Sequence, residues 1–335
     1  MTPRAGARRL LPLVVLTGVT LGALFLGVRL GAVELSTGQI LRVLGGSGSE
    51  TERFIVLDLR LPRVAMGLLV GGGLAVSGAV FQALLRNPLA EPYILGISGG
   101  AAAGALLALA LGWVAETSWV LPLVAFSGAA TSILLVFGVA LSASRRIDVR
   151  VLLLSGVVVG AFFTAAVALI LALSDAPTTR SALLWMMGSL SGASWRSVGV
   201  VAGYTLPLAL TLFSLSRPLN LMSIGEETAA YLGTNVERAK RVAYGAASFV
   251  AAAGVAFAGV IGFVGLIVPH AVRLSVGSDN RTLLPLSFLA GAGFLTLADV
   301  VARTALAPTE IPIGVVTAFI GVPMFLVLLR RNLRP

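Results

Sequence analysis

The stretch RNPLAEPYILGISGGAAAGA, residues 86–105, interrupts an otherwise apolar chain with charged residues and prolines and then turns to glycine and alanine. Each proline lacks a backbone N–H and clashes with the preceding helical turn, so Pro88 and Pro92 predict a break between two helices. Backbone that leaves helical geometry at membrane depth must be buried in protein or line a cavity. Asn87 can bond to the freed backbone groups, and the small residues from Gly96 onward allow a neighbouring helix to approach closely. An ordinary turn followed by a small-residue packing face explains the same pattern.

The composition of the whole chain is typical of a polytopic helical membrane protein. Of 335 residues, 57% are hydrophobic and only 11% are charged, and the mean hydropathy is +0.99. A soluble domain carries about a quarter charged residues. The net charge of +10 lies largely in short links between apolar runs, which indicates membrane topology rather than nucleic-acid binding. The absence of Cys excludes disulfides and thiolate metal sites.

Apolar runs of about 20 residues predict an all-α fold with about ten transmembrane helices, in a single transmembrane domain over residues 1–335. The predicted spans are 9–30, 61–85, 94–112, 118–142, 150–173, 195–215, 238–255, 257–274, 282–304 and 312–330. Sixteen of the 24 basic residues fall on the N-terminal side of the membrane and eight on the other side. This asymmetry predicts that both termini are cytoplasmic.

Three further segments carry predictions. The first apolar run has no clear small-residue cleavage site, so it is interpreted as a retained span rather than a signal peptide. Within the long outside segment 31–60, STGQILRVLGG predicts a short interfacial helix, and residues 175–194 predict a partial helix packed on the bundle.

Several kinds of chemistry are excluded by what the sequence lacks. The only Lys, Lys240, follows Ala239, so no phosphate-binding G-x-x-x-x-G-K-[ST] loop exists in the chain. A single His rules out a His cluster for metal. The acidic residues fall almost entirely in links, and Asp299 is one helical turn from Arg303, which predicts an i, i+4 ion pair. We interpret the chain as a passive pathway without catalysis or a bound cofactor or metal. If ATP drives transport, a partner chain must bind the ATP and Mg²⁺.

The inside segment around residues 219–237 predicts a compact surface feature. Ser223 is a candidate N-cap with Glu226 three residues later, the spacing of a capping box. Glu227 adds a second carboxylate to the first turn, where the helix dipole favours it. Gly233 predicts the helix stop, and Thr234 or Asn235 can cap a following helix. Two short helices joined by glycine can fit a groove on a peripheral protein, although any long loop can contain capped helices.

Five ordered blocks of the chain resemble the FecCD family, the permeases of bacterial importers for iron chelates, haem and vitamin B12. The resemblance begins near residue 55, and its blocks are RLPRVAMGLLVGGGLAVSGAVFQALLRNPLAEPYILGISGGAAAGA, WMMGSLSGASW, IGEETAAYLGTNV, GFVGLIVPHAVRLSVGSDNR and LADVVARTALAPTEIPIGVVTAFIGVPMFLVLLRR. Asn280 departs from the family, in which a His is common before Arg281. The resemblance implies a type II ABC importer with a second permease copy, either identical or paralogous. Two cytoplasmic ATPases and a periplasmic or lipid-anchored binding protein complete that assembly.

The resemblance also implies roles for individual residues. The ATPase-coupling residues would be Ser223, Gly225, Glu226, Glu227, Thr228, Ala229, Leu232, Gly233 and Val236. The residues that dock Glu side chains of the binding protein would be Arg60, Arg63 and Arg303. Interfacial snorkelling is the alternative for these arginines, and Asp299 competes for Arg303. The family's structural motif would include Asn87, Pro88, Glu91, Pro92, Gly96, Pro269 and His270. A haem-ligand role for His270 is weighed against a helix-start or packing role, and the latter is preferred.

The expected function is the permease subunit of an ATP-driven importer in the bacterial inner membrane. The expected cargo is a ferric siderophore or haem, with vitamin B12 or another corrinoid as the alternative. A secondary transporter driven by an ion gradient and a non-transporting scaffold are the alternatives from other classes. The family's gate residues are not carried over to RRIDVRVLLLSG, residues 145–156, because the sequence differs there.

Overall fold

A computed structural model describes residues 3–114, 119–143 and 147–332, and every regular element in these ranges is helical. The α-helices are α1 (Pro3–Arg29), α2 (Thr37–Leu44), α3 (Glu50–Arg53), α4 (Leu61–Leu84), α5 (Ile97–Ala110), α6 (Val120–Ala143), α7 (Val149–Leu173), α8 (Ala176–Met186), α9 (Trp195–Ser214), α10 (Ser216–Ile224), α11 (Glu226–Tyr231), α12 (Val236–Ala258), α13 (Val264–Val276), α14 (Asn280–Thr304) and α15 (Ile313–Asn332). Arg145 and Arg146, counted above among the inside basic residues, lie outside the described residues.

Each predicted span corresponds to one apolar helix, so the predicted all-helical architecture is confirmed. In the described ranges, seven helices are long and apolar enough to cross a membrane. They are α1, α4 together with the helical residues 50–60 that precede it, α6, α7, α9, α12 and α14. The remaining three, α5, α13 and α15, are apolar but shorter. The short helices expected in the two outside segments are α2, capped by Ser36, and α8, capped by Asp175.

The second span begins earlier than predicted. Helical backbone runs without interruption from Glu50 to Leu84, because a π-helical stretch, Phe54–Arg60, joins α3 to α4. Ser49 caps the start of this long helix by accepting from the Glu52 N–H. Residues 50–60, expected in a link, therefore belong to the span, which begins at Glu50.

Helix α4 is the centre of the bundle and packs against α9, α12, α13 and α14. Glycine makes this packing possible. A Cβ atom at Gly78 would lie 1.8 Å from the carbonyl oxygen of Gly265, and one at Gly71 would lie 2.3 Å from that of Gly291. Such backbone approaches are typical of small-residue interfaces between membrane helices.

The polar stretch that begins at Arg86 packs against a second break in the bundle. The predicted eighth span, 257–274, is wrong at its start, because Gly259 at φ +69° and Phe263 at φ +68° separate α12 from α13. The carboxylate of Glu91 accepts the Phe263 backbone N–H at 3.0 Å. Asn87 accepts the Leu89 N–H at 2.9 Å, as expected for a residue that satisfies freed backbone. One interrupted segment thus stabilises another.

Candidate functional site

The segment predicted to lie inside forms a tip made of α10, α11 and the turn that follows, residues 216–233, which we call the α10–α11 tip. The two helices are joined at Gly225, whose φ of +154° favours glycine. The predicted capping role of Ser223 is wrong, because α10 follows α9 almost directly and Ser223 already lies inside it, donating to the Asn220 carbonyl at 2.7 Å. Glu226 and Glu227 do occupy the first turn of α11.

The end of the tip also differs partly from the expectation. Gly233 follows α11 at φ +83°, in line with the predicted stop. The helix after it is not short, since it is the membrane-crossing α12, capped by Asn235 through its bond to the Arg238 N–H at 3.0 Å. The glycine that joins the two short helices is therefore Gly225 rather than Gly233.

The base of the tip is held by a cluster that we call the Lys240 junction: Lys240, Glu226, Glu237 and Ile147. The Lys240 ammonium contacts the Glu226 carboxylate at 2.5 Å and donates to the Ile147 carbonyl at 3.0 Å, and its side chain is only 5% exposed. Glu237 accepts the Ile147 N–H at 3.0 Å and lies 3.9 Å from Lys240. One buried cation thus joins α11, α12 and the chain before α7. Sequence reasoning missed this role, although the i, i+3 spacing of Glu237 and Lys240 could have indicated it.

The outer part of the tip exposes apolar side chains. Ile224 is 71% exposed, Tyr231 91% and Leu232 57%. Among the predicted coupling residues, Ala229 is fully buried, whereas Thr228 and Leu232 are exposed. The tip therefore has an anchored inner face and a free apolar outer face, which is an arrangement suited to docking a protein groove.

At the opposite end of the bundle, Arg63 lies between two carboxylates. Its guanidinium donates to both oxygens of Glu310 at 2.9 Å, a bidentate pair, and its Nε donates to Asp299 at 2.9 Å. Hydrogen bonds from Arg63 lower the pKa of Glu310, so this pair persists until the pH falls through that lowered value. The predicted Asp299–Arg303 pair is also present at 3.3 Å. We call Arg63, Asp299, Arg303 and Glu310 the outer charge cluster.

Arg60 and Arg303 are placed differently from the expectation that all three arginines face outward. Each residue is only 5% exposed. Arg60 donates to the carbonyls of Val28 at 2.9 Å and Arg29 at 2.8 Å, and also to that of Val33. Arg303 donates to the Gly27 carbonyl at 2.5 Å. Both guanidinium groups therefore satisfy carbonyls at the end of α1, which have no partner within the helix. In this conformation both guanidinium groups are bonded to carbonyls of the same chain, so their docking to the binding protein stays a prediction.

The remaining motif residues are buried or shape the backbone. Gly96 adopts φ +70° between the short 3₁₀ turn at Pro92 and α5. Pro269 and His270 lie inside α13, so the helix-start alternative for His270 is wrong and its burial agrees with packing. Asn280 was expected in a link, but it is the first residue of α14 and its side-chain amide donates to the Asn220 side chain at 2.8 Å.

Comparison with known proteins decides the family. The pattern of the FecCD transport family matches residues 16–331. The chain belongs to this family. As a FecCD protein it is the permease subunit of an ABC importer and is not itself catalytic, and its type implies an ATPase and a binding protein as partners. It is a multi-pass protein of the cytoplasmic membrane.

Individual relatives of this FecCD permease cover most of its length. It is 46% identical over 281 residues to the cobalamin import system permease protein BtuC of Halobacterium salinarum, covering 84% of this chain and 74% of the relative. It is 42% identical over 301 residues to the vitamin B12 import system permease protein BtuC of Escherichia coli, covering 89% and 90%. A solved metal-chelate type ABC transporter in an inward-facing conformation superposes with a TM-score of 0.86 at 33% identity, covering 95% of this chain and 98% of that one.

Proposed function

We propose that this permease imports a corrinoid such as vitamin B12 by alternating access. The observation that carries the proposal is its similarity, at 46% and 42% identity over most of the chain, to permeases named for cobalamin and vitamin B12 import. This reverses the order expected from the sequence, in which ferric siderophore or haem came first. A corrinoid is itself a metal chelate, which agrees with the type of the similar solved transporter.

The proposed assembly contains two permease copies, identical or paralogous, two ATPases and an external binding protein. Both termini are placed in the cytoplasm, because two thirds of the basic residues then lie inside. In this orientation the α10–α11 tip faces the ATPases and the outer charge cluster faces the binding protein.

The α10–α11 tip is the proposed contact through which ATPase motion reaches the membrane helices. Its exposed Tyr231 and Leu232 supply an apolar docking surface, and aromatic side chains are favoured anchors in such interfaces. Its base is continuous with α12 through the Lys240 junction. A displacement of the tip by the ATPase would therefore move α12, and with it the packed centre of the bundle.

The test of the cargo assignment is uptake into sealed proteoliposomes that contain the complete importer. Labelled cyanocobalamin, a ferric siderophore and haemin are supplied in parallel, each with the binding protein outside and ATP with Mg²⁺ inside. The proposal predicts accumulation of cyanocobalamin alone. Accumulation of the siderophore or haemin without cyanocobalamin would contradict it.

Arg63 is the proposed docking residue for a carboxylate of the binding protein, since a planar guanidinium can hold a carboxylate bidentately. Glu310 occupies that position in the isolated chain, so a partner carboxylate must compete with it. A partly exposed ion pair contributes about 1 kcal/mol. Glu310→Gln is therefore expected to tighten the binding-protein complex by about fivefold.

Surface binding measurements with the immobilised permease complex check this expectation. Glu50→Gln is the matched control, because Glu50 is an exposed carboxylate at the same end. Weaker binding by the Glu310→Gln variant would show that Glu310 itself contacts the binding protein. It would contradict the proposal that Glu310 competes with a partner carboxylate for Arg63.

A further inference from the structure

A cavity of about 520 Å³ opens at the α10–α11 tip, between the end of α9 and the start of α12. Arg217 and Arg238 line it, and both residues are exposed. In the described part of the chain, neither guanidinium pairs with a carboxylate, and no acidic residue lines the cavity. The carboxylate of Glu237, next to Arg238, is instead bonded to Ile147. We call this site the arginine cavity.

The position of the arginine cavity relative to the membrane follows from the two helices that bound it. Both α9 and α12 are long and apolar enough to cross a bilayer, and the cavity lies where one ends and the other begins. Side chains at such ends lie at the depth of lipid headgroups. One turn deeper, Leu210 on α9 is 65% exposed, and Val242 on α12, which also lines the cavity, is 37% exposed.

The cavity therefore places two cations, unpaired among the described residues, at headgroup depth and apolar surface just below them. A guanidinium matches the geometry of phosphate oxygens, and basic pockets between transmembrane helices on the cytoplasmic side accept anionic headgroups. The apolar surface provides a path for acyl chains, which free phosphate would not use.

We propose that the arginine cavity binds the phosphate of an anionic phospholipid. The site needs neither the proposed cargo nor a docked ATPase, although Leu232 and Gly233, two of the predicted coupling residues, also line it. In the proposed orientation it would bind lipid of the inner leaflet. Charge and depth select the ligand: an anionic lipid is preferred over a zwitterionic one because its charge is not compensated within the headgroup.

The experiment is native mass spectrometry of the full-length permease titrated with phosphatidylglycerol or phosphatidylcholine. The wild-type chain is expected to bind phosphatidylglycerol more tightly. Two basic residues near a membrane surface together contribute a factor of about 30 in affinity, so R217Q/R238Q is expected to weaken phosphatidylglycerol binding by about that factor and to leave phosphatidylcholine binding unchanged.

The matched control is R150Q/R281Q, which removes two exposed arginines from the N-terminal ends of α7 and α14, outside the cavity. It is expected to bind both lipids like the wild type. Unchanged thermal unfolding of R217Q/R238Q in phosphatidylcholine shows that the fold is intact; if it unfolds earlier, Arg→Lys variants, which keep the charge, are expected to retain the preference.

Four outcomes would overturn the proposal. They are equal affinity of the wild type for the two lipids, unchanged phosphatidylglycerol binding by R217Q/R238Q, displacement of the lipid by an equal concentration of inorganic phosphate, and loss of the copurified ATPase from R217Q/R238Q with lipid binding retained. The last would assign the two arginines to the ATPase interface.

Discussion

Replacing Lys240 with Met is expected to lower ATP-driven uptake by about tenfold. The Lys240 ammonium joins the Glu226 carboxylate at 2.5 Å and the Ile147 carbonyl at 3.0 Å. Breaking a fully buried pair costs about 3–5 kcal/mol, but Glu226 is 41% exposed and can turn to water, so we expect about 1.5 kcal/mol. That energy corresponds to roughly a tenfold lower ratio of anchored to released α11.

The accompanying readout distinguishes lost coupling from lost assembly. The apolar docking face is unchanged in Lys240→Met, so the ATPase should still copurify while its activity no longer responds to the binding protein. Lys240→Arg, which keeps the charge, should retain most of the uptake. Arg241→Met is the matched control on the next, exposed residue of α12 and should behave like the wild type. Normal uptake by Lys240→Met would show that the Lys240 junction does not transmit motion from the α10–α11 tip to α12.

Replacing Gly78 with Ala is expected to have the largest effect on stability. The added methyl would lie 1.8 Å from the Gly265 carbonyl oxygen, and backbone on both sides leaves no flexible group that could move away. Overpacking a well-packed core costs typically 1–3 kcal/mol and occasionally more, so we expect a loss of about 3 kcal/mol and a lower midpoint of thermal unfolding.

Gly245→Ala is the control for this substitution. It lies within α12, and no atom beyond its own helical turn would come within 4 Å of its added methyl. Because alanine favours helix over glycine, this variant should unfold at the same temperature as the wild type or slightly above it. Equal midpoints for the two variants would show that α4 and α13 do not depend on this close approach.

The positions of the membrane helices could be predicted from the sequence because hydrophobicity alone determines them. Apolar runs located the apolar helices of the described ranges to within a few residues, except where the backbone changes geometry inside a run. Phe263 adopts φ +68° in an apolar context, and nothing in its residue type indicates that. The π-helical stretch before Arg60 likewise depends on how α3 joins α4.

The charged sites could be predicted in part. Residue type and spacing indicated the Asp299–Arg303 pair, because both partners lie on one helix. The partners of Arg60 are carbonyls at the end of α1, and those of Lys240 come from α11 and the chain before α7. Such contacts between distant segments arise from packing. The sequence therefore identified the charged residues but not their bonding partners.

The most direct test of the account is the ATPase-free arm of the uptake measurement. Sealed proteoliposomes with the permease, the external binding protein and cyanocobalamin are compared with and without the ATPase subunits, at equal permease content and with no ion gradient. We expect uptake only when the ATPase and internal ATP with Mg²⁺ are both present. Uptake at the same rate without the ATPase would contradict it.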